Sequence, residues 1–197
     1  MIRKIFCSAG RHTAVFAVVL FLLWLLLFLS ALIPNDMIRD NMEQSALSYK
    51  ERTAFEFTDG KKLNSVADHY ADSIWLNVSW NMGEDSPLIS SIRTNYYDGG
   101  ELGVNAGLYL SVTQGTEPNK DYTRYWHGTA MFIRLGHLIT DVEGVKLIGF
   151  IAFLLLVGLT IFILARKRHW DLAVILALSL AAVQIWNIRL SMEYQPA

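Results

Sequence analysis

Two long apolar runs constrain this chain more than any other feature. The first covers Thr13–Ile33 and the second about Val145–Ala165. About 20 apolar residues, each adding 1.5 Å to a helix, cross the hydrocarbon core of a bilayer. The composition agrees, since 53% of the residues are hydrophobic and only 18% are charged, against about 25% charged in soluble domains. We therefore expect an integral membrane protein.

The ends of the apolar runs indicate how each one meets the membrane. The first run ends at Pro34 and fits a signal-peptide cleavage pattern poorly, so we interpret it as an uncleaved anchor. The second stops at the basic residues 166–168. A third run, Leu172 to about Ile188, is shorter and carries Gln184 and Asn187 near its far end. It would cross only with help from interfacial residues or neighbouring helices.

The distribution of charged residues predicts which parts of the chain face the cytoplasm. Basic residues cluster near the N-terminus and at 166–168, and such short basic segments stay in the cytoplasm. The segment from Asn35 to Val142 has the opposite balance, nine Lys or Arg against fifteen Asp or Glu. We expect a multi-pass protein of the plasma membrane divided into a cytoplasmic tip (1–12), transmembrane helix 1 (13–34), an extracytoplasmic domain (35–142), transmembrane helix 2 (145–165), a cytoplasmic turn (166–170), transmembrane helix 3 (171–189) and an extracytoplasmic tail (190–197).

The predicted fold class is a mainly α membrane protein with three transmembrane helices and an α-rich outer domain, with α+β as the alternative for that domain. Helical patterns cover Asn41–Thr53 and Ser65–Asn81, and the glycines of Asp98–Gly107 predict a turn. Asp121–Thr140 runs from a polar aromatic cluster into an amphipathic helix suited to the outer membrane surface. The single cysteine, Cys7, excludes an internal disulfide, so packing alone must hold the domain.

Several function classes find no support. The net charge of −1 argues against a nucleic-acid binder. The glycine spacing fits neither a dinucleotide nor a phosphate-loop fingerprint. The chain contains no HExxH or GxSxG motif, which removes the usual signatures of zinc and serine hydrolases.

Asp68 and Asp72 form the first candidate site. Four residues apart on a predicted helix, the two carboxylates share one face. Such a pair can hold a divalent cation, or one carboxylate can act as a general base while the other shifts its pKa. A solvated acidic face is the structural alternative.

A cluster of polar and aromatic residues before the second apolar run forms the second candidate site. Arg124 could clamp a phosphate, His127 could transfer a proton, and Trp126 could stack on a sugar or an isoprenoid unit. Asp121 begins this cluster, and Arg134 lies further along on the amphipathic helix. The alternative is an interfacial aromatic belt with arginines that contact lipid headgroups.

The order of these features resembles the N-terminal module of the GT-C class of membrane glycosyltransferases. Such enzymes begin with a basic tip and one span, followed by a large outer loop with an essential Asp and a membrane-surface helix. Here Asp68–Asp72 is similar to the acidic motif, and His127–Phe132, continuing to Lys146, looks like the segment that enters the next span. The chain also looks like uncharacterised bacterial multi-span proteins with an Arg-Tyr-Trp-His-Gly element.

The resemblance implies sugar transfer from a polyprenyl phosphate donor to an acceptor of the cell envelope. Asp72 or Asp68 would be the catalytic base, with Arg124 and Arg134 holding the donor phosphate; Trp126 and His127 would line the pocket, with Asp121 beside them. Three spans are fewer than the class needs, so the chain is expected to be an N-terminal fragment or a truncated relative. The alternative is a non-catalytic, membrane-anchored protein that binds a partner or assembles part of the cell envelope.

Overall fold

The computed structural model describes residues 2–59, 65–83, 86–123 and 126–195, with side chains described from residue 10 onward. The chain is mainly helical. The helices in these ranges are α1 (Ile2–Ala31), α2 (Asn35–Tyr49), α3 (His69–Asn81), α4 (Pro87–Ser90), α5 (Gly103–Gln114), α6 (Thr129–His137), α7 (Val142–Arg166) and α8 (Trp170–Ala182). The strands are β1 (Phe55–Phe57), β2 (Val66–Asp68), β3 (Thr94–Tyr96) and β4 (Lys120–Tyr122), and 3-10 turns cover Gly100–Leu102, Ile185–Leu190 and Met192–Tyr194.

Two helices are long and apolar enough to cross a membrane. They are the Gly10–Ala31 part of α1 and the whole of α7, judged by length and composition. None of the most apolar stretch of α7 is buried inside the protein. In water this helix would expose a continuous apolar surface, which soluble monomers rarely do. These helices match two of the three predicted spans.

The third apolar run forms a shorter helix than predicted. α8 has 13 residues, about 20 Å of helix, whereas the hydrocarbon core is about 30 Å thick. Gln184 then adopts a positive φ of 55°, and its side-chain carbonyl accepts a hydrogen bond from Asn187 at 3.2 Å. The regular helix predicted over 171–189 therefore ends at Ala182, where polar side chains replace the apolar run.

The chain nevertheless returns along α7 to the point where α7 begins. α8 packs against α7, and the 3-10 turn Ile185–Leu190 continues in the same direction. A 3-10 turn rises about 2 Å per residue, so α8 and this turn together cover roughly 30 Å. Gln195 then donates a hydrogen bond to the Lys146 carbonyl at 2.8 Å. We call Ile185–Gln195 the tail segment.

α2 to α6 and the four strands form a compact head domain between α1 and α7. Its main core joins α2, α3, α5 and α6 with the start of α7 and Met192 of the tail segment. β1 pairs with β2 and β3 with β4, both antiparallel, with Phe55 opposite Asp68 and Thr94 opposite Tyr122. The short strands make the head domain α-rich with small β-ladders.

Three local predictions need correction. The helix predicted over Ser65–Asn81 begins at His69, because β2 occupies Val66–Asp68 and the Asp68 carboxylate accepts a hydrogen bond from the Ala71 amide as N-cap. α2 begins at Asn35, directly after Pro34, and ends at Tyr49, so it starts earlier than Asn41. The later glycines of the predicted turn, from Gly103 onward, lie in the first turns of α5.

α6 has two different faces, one buried in the head domain and one exposed. Ile133 and His137 are buried in the head domain, as is Arg134. Phe132 and Leu135 point outward with about half of their surface exposed. With α7, the outward face forms an apolar groove of about 590 Å³. This arrangement suits a helix that covers the head domain with one side and contacts lipid with the other.

His137 and Ser45 together connect three helices. Its Nδ1 lies 2.7 Å from the Ile133 carbonyl and its Nε2 lies 3.0 Å from the Ser45 hydroxyl of α2. The Val142 amide, at the start of α7, donates to the same Ser45 oxygen at 2.8 Å. A neutral ring with its proton on Nδ1 fits these contacts when the single Ser45 hydroxyl proton is shared between Nε2 and the Asn41 carbonyl, which lies 2.8 Å from the Ser45 oxygen. Burial lowers the pKa of His137 to about 4.

The first prediction concerns the pH dependence of stability. Between the ordinary pKa of 6.5 and the folded value of about 4, the unfolded chain binds more protons at His137 than the folded chain does. The free energy of unfolding should therefore fall by roughly 3 kcal/mol as pH drops through this window. We expect the Tm in detergent to fall from pH 7.5 to pH 4.5, and His137→Gln to remove much of that fall. His169→Gln, at an exposed site beyond α7, is the control; an unchanged pH dependence in His137→Gln would contradict the assignment.

Candidate functional site

Asp72 lies at the centre of a buried polar cluster. The residue is 0% exposed. Its Oδ2 accepts a hydrogen bond from the Tyr49 hydroxyl at 2.8 Å. Its Oδ1 accepts from the Ser191 hydroxyl at 2.7 Å and from the Met192 amide at 2.8 Å. A carboxylate of α3 therefore binds α2 and the tail segment at once.

Lys146 extends this cluster into α7. Its Nζ donates to the Tyr49 hydroxyl at 3.2 Å and lies 3.9 Å from Asp72 Oδ2. Glu143 accepts a further hydrogen bond from the same amine at 2.9 Å. Burial raises the pKa of the Asp72 carboxyl above its ordinary value, although Lys146 and the three donors act against this shift. Burial, together with the nearby Asp72, also strongly raises the pKa of Tyr49.

Asp68, in contrast, reaches a cavity at the surface. The cavity has a volume of about 210 Å³ and is bordered by Asp68, Tyr70, Trp75, Tyr122 and Glu193, among others. The ring centroids of Trp75 and Tyr122 lie 5.4 Å apart. Asp68 is half-buried, with its Oδ1 accepting from the Ala71 amide at 2.8 Å. We call this cavity the aromatic pocket.

The two aspartates therefore have different surroundings despite their spacing. Asp68 ends β2 and faces the aromatic pocket, whereas Asp72 is one turn into α3 and faces the interior. Within the described ranges, no three His, Cys, Asp or Glu side chains lie close enough to hold a metal ion.

The residues of the second predicted cluster do not meet at the aromatic pocket. Asp121 makes a bidentate ion pair with Arg93, with both side chains exposed. Trp126 is 51% exposed, and its ring lies over Gly128, where a Cβ would clash with it. His127 is buried, and burial lowers its pKa.

Arg124 lies outside the described residues. His127 has one further feature: its Nε2 is buried and has no hydrogen-bond partner in the described part of the chain. The backbone carbonyls of Ser90 and Ser91, at the end of α4, favour the charged form of the ring, but burial outweighs them. His127 thus packs beside α4 and away from Asp68.

Arg134 is completely buried at the junction of α1 with the head domain. Its Nε donates to the Ser30 carbonyl at 3.0 Å, and its Nη2 donates to the Ile33 carbonyl. Its Nη1 donates to the Ser79 carbonyl and, at 3.1 Å, to Asn35 Oδ1. Carbonyls at the end of α1 lack partners within the helix, so the guanidinium satisfies them and links α1 to α2 and α3.

Sequence reasoning missed the partners of both aspartates. Tyr49, Lys146 and Ser191 contact Asp72, and Glu193 borders the aromatic pocket beside Asp68. Ser191 lies 119 positions from Asp72 along the chain, so no local spacing could reveal this contact. Lys146 was the one available signal. It is a basic residue in the first turns of an apolar helix, and its burial requires an acidic or polar partner.

No protein family model, curated protein or solved structure matches the chain. The arrangement of its own side chains therefore carries the functional argument.

The Asp72 cluster gives a second prediction. Asp72→Ala leaves the buried donors of Tyr49, Ser191 and Met192 without their acceptor and removes one of the two carboxylates near Lys146, which should cost about 3–5 kcal/mol. We expect a large fall in Tm and rapid proteolysis of the tail segment in detergent. Asp36→Ala, in which an exposed carboxylate is lost, should leave both nearly unchanged. A tail segment that stays protected in Asp72→Ala would contradict the role of this carboxylate.

Arg134 gives a third prediction. Lysine keeps the charge but lacks the planar fork that reaches several carbonyls, and each buried carbonyl left without a donor costs about 1–3 kcal/mol. Arg134→Lys should therefore lower the Tm substantially. Arg39→Lys, at a side chain with 45% of its surface exposed, is the matched control. Equal Tm values for the two variants would contradict a structural role of the Arg134 guanidinium.

Proposed function

We propose that this chain is a GT-C-like membrane glycosyltransferase, or the N-terminal part of one, with Asp68 as its catalytic base. The head domain would lie on the outer face of the plasma membrane. There the enzyme would transfer a sugar from a polyprenyl phosphate donor to an acceptor of the cell envelope. The aromatic pocket beside Asp68 is the observation that carries this proposal.

The composition of the aromatic pocket supports a carbohydrate ligand. A sugar ring offers apolar C–H faces that stack on aromatic rings, and Trp75 and Tyr122 border the pocket together. Its hydroxyl groups require acceptors, which Asp68 and Glu193 supply. The volume of about 210 Å³ is below the 300–1,000 Å³ of typical drug-sized sites, so it suits a ligand of single-ring size.

Exposure favours Asp68 over Asp72 as the base. A general base must come within hydrogen-bond distance of the hydroxyl that it deprotonates. Asp68 is half-buried at the pocket. Asp72 is fully buried and already accepts three hydrogen bonds. Asp72 would then position the tail segment, which carries Glu193 to the pocket.

The apolar groove between α6 and α7 is consistent with a lipid-linked donor. Its volume is about 590 Å³, and apolar side chains such as Phe132, Ile148 and Phe153 form its walls. An isoprenoid chain needs such a surface at membrane depth. The exposed apolar faces of α1 and α7 support membrane insertion of the helices that come before and after the head domain in the chain.

A non-catalytic envelope-binding protein is the second candidate. The positions of Trp126, His127 and Arg134 favour it, because these residues do not border the aromatic pocket. Arg134 is occupied by backbone carbonyls. In this case the aromatic pocket would retain a sugar of the cell wall without changing it.

The fourth prediction separates these functions through Asp68→Asn. Asparagine caps helices about as well as aspartate, so the variant keeps the hydrogen bond to the Ala71 amide but lacks a base. Loss of general-base catalysis should reduce sugar transfer about 10²–10⁴-fold. The measurement is the glycan composition of the cell envelope in a deletion strain complemented with the full-length gene carrying each variant.

Asp36→Asn is the control, since Asp36 is an exposed carboxylate in the first turn of α2. The enzyme hypothesis predicts loss of the glycan with Asp68→Asn and normal glycan with Asp36→Asn, at equal protein levels. Normal glycan with Asp68→Asn would contradict catalysis by this residue. If deletion alters no glycan, but Tyr122→Ala weakens retention of cell-wall fragments by the purified chain, the binding function is favoured.

A further inference from the structure

A second polar cavity lies on the other side of the Asp72 cluster. Its volume is about 610 Å³, and its walls come from the loop after α2, from β1 and the residue that follows it, from the start of α3, from the first turns of α7 and from the tail segment. The charged and titratable side chains that border it are Arg52, Glu56, His69, Glu143, Lys146 and Arg189. The proposed function uses none of these residues as a ligand-binding group. We call this cavity the basic pocket.

Three cations and two carboxylates border the basic pocket, but they are unequally paired. Glu143 Oε1 lies 2.9 Å from Lys146 Nζ and 3.4 Å from Arg52 Nη1, so one carboxylate serves two cations. Arg189 is exposed, and no acidic side chain pairs with it in the described ranges. Arg189 thus supplies the basic pocket with a cation that no carboxylate of the described ranges pairs with, whereas Arg52 and Lys146 lie near Glu143 and Asp72.

Arg52 is held in position at the wall of the basic pocket. His69 Nδ1 lies 2.9 Å from the Thr53 carbonyl, to which it can only donate. Arg52 Nη1 lies 3.4 Å from Nε2 of the same ring, and the guanidinium lies 5.2 Å from the centroid of the Tyr49 ring. Its side chain is 35% exposed. Such a guanidinium is pre-organised for an anion and still accessible.

The basic pocket lies where the α7–α8 hairpin meets the head domain. Leu147 in α7 and Leu190 at the end of the 3-10 turn border it together with the charged residues. The next residues on the face of α7 that carries Leu147 are Ile151 and Leu154, which are apolar and 49% and 41% exposed. A cavity with cations at its wall and apolar helix surface directly beyond it matches the boundary between headgroups and acyl chains.

We propose that the basic pocket binds the phosphate group of a bilayer phospholipid. Arg189 and Arg52 contact the phosphate oxygens, because guanidinium groups bind phosphate through paired N–H donors. The acyl chains continue along the exposed face of α7. Glu56, on the β1 side, disfavours a second anionic group and accepts hydrogen bonds from headgroup hydroxyls or an amine. This inference is independent of the proposed sugar transfer, since it uses a different cavity and different residues.

Arg189→Gln tests the site with the full chain in detergent micelles. Arg189 makes no hydrogen bond or ion pair to the described residues, so its replacement should leave the lipid-free Tm unchanged. The ligand is phosphatidylglycerol, followed by native mass spectrometry and by the rise in Tm. A charge-assisted contact contributes about 1.5–3 kcal/mol, so we expect at least about tenfold weaker binding. Arg52→Gln should weaken binding in the same direction.

Three comparisons make the result decisive. Diacylglycerol with the same acyl chains lacks the phosphate and should give no rise in Tm. Lys167→Gln removes a cation at the opposite end of α7 and should bind phosphatidylglycerol like the wild type. Equal weakening in Lys167→Gln and Arg189→Gln would indicate unspecific charge attraction and overturn the site. Displacement of the lipid by millimolar inorganic phosphate would identify a free-phosphate site and overturn the lipid assignment, and unchanged binding in Arg189→Gln would overturn the proposal entirely.

Discussion

The buried Asp72 carboxylate is the interaction on which the rest of the structure depends. It accepts hydrogen bonds from α2 through Tyr49 and from the tail segment through Ser191 and Met192. Through Tyr49 it is also linked to Lys146 in the first turns of α7. A buried carboxylate is costly unless donors and a cation surround it. Here they come from three separate parts of the chain, namely α2, α7 and the tail segment, so the site forms only when these three assemble around α3.

Both cavities follow from this assembly. The tail segment contributes Glu193 to the aromatic pocket and Arg189 to the basic pocket. Asp72 itself borders neither cavity, but it holds the residues between these two positions. If the segment after α8 did not return to the head domain, both cavities would lack part of their wall. The same carboxylate that the sequence offered as a catalytic base thus holds the tail segment in place, and Asp68 borders the aromatic pocket.

The parts of the fold that could be predicted from sequence are those with a strong local signal. α1 and α7 follow from apolar runs, because bilayer thickness sets the length of a spanning helix. The four strands have three residues each, too few for an alternating pattern to be recognised. The break at Gln184 depends on one backbone conformation, which the apolar composition of α8 could not reveal.

The candidate site was harder to predict for a similar reason. The spacing of Asp68 and Asp72 indicated one shared helical face, but Asp68 caps the helix and only Asp72 lies within it. Arg134 was expected on an amphipathic helix, where it would hold a donor phosphate or contact lipid headgroups. Its burial depends on backbone carbonyls at and just after the end of α1, about a hundred positions earlier in the chain. Local periodicity describes which residues share a face, but distant partners decide which face is buried.

Because Ser191 and Met192 bind Asp72, the tail segment and the head domain must lie on one side of any membrane that α7 crosses. Labelling with a membrane-impermeant maleimide tests this arrangement most directly, in a Cys7→Ser background that removes the single native thiol. Leu102→Cys reports on the head domain, Glu193→Cys on the tail segment and Arg168→Cys on the turn between α7 and α8. We expect the first two to be labelled in intact cells and Arg168→Cys only after permeabilisation. Labelling of Leu102→Cys and Glu193→Cys from opposite sides would contradict the account.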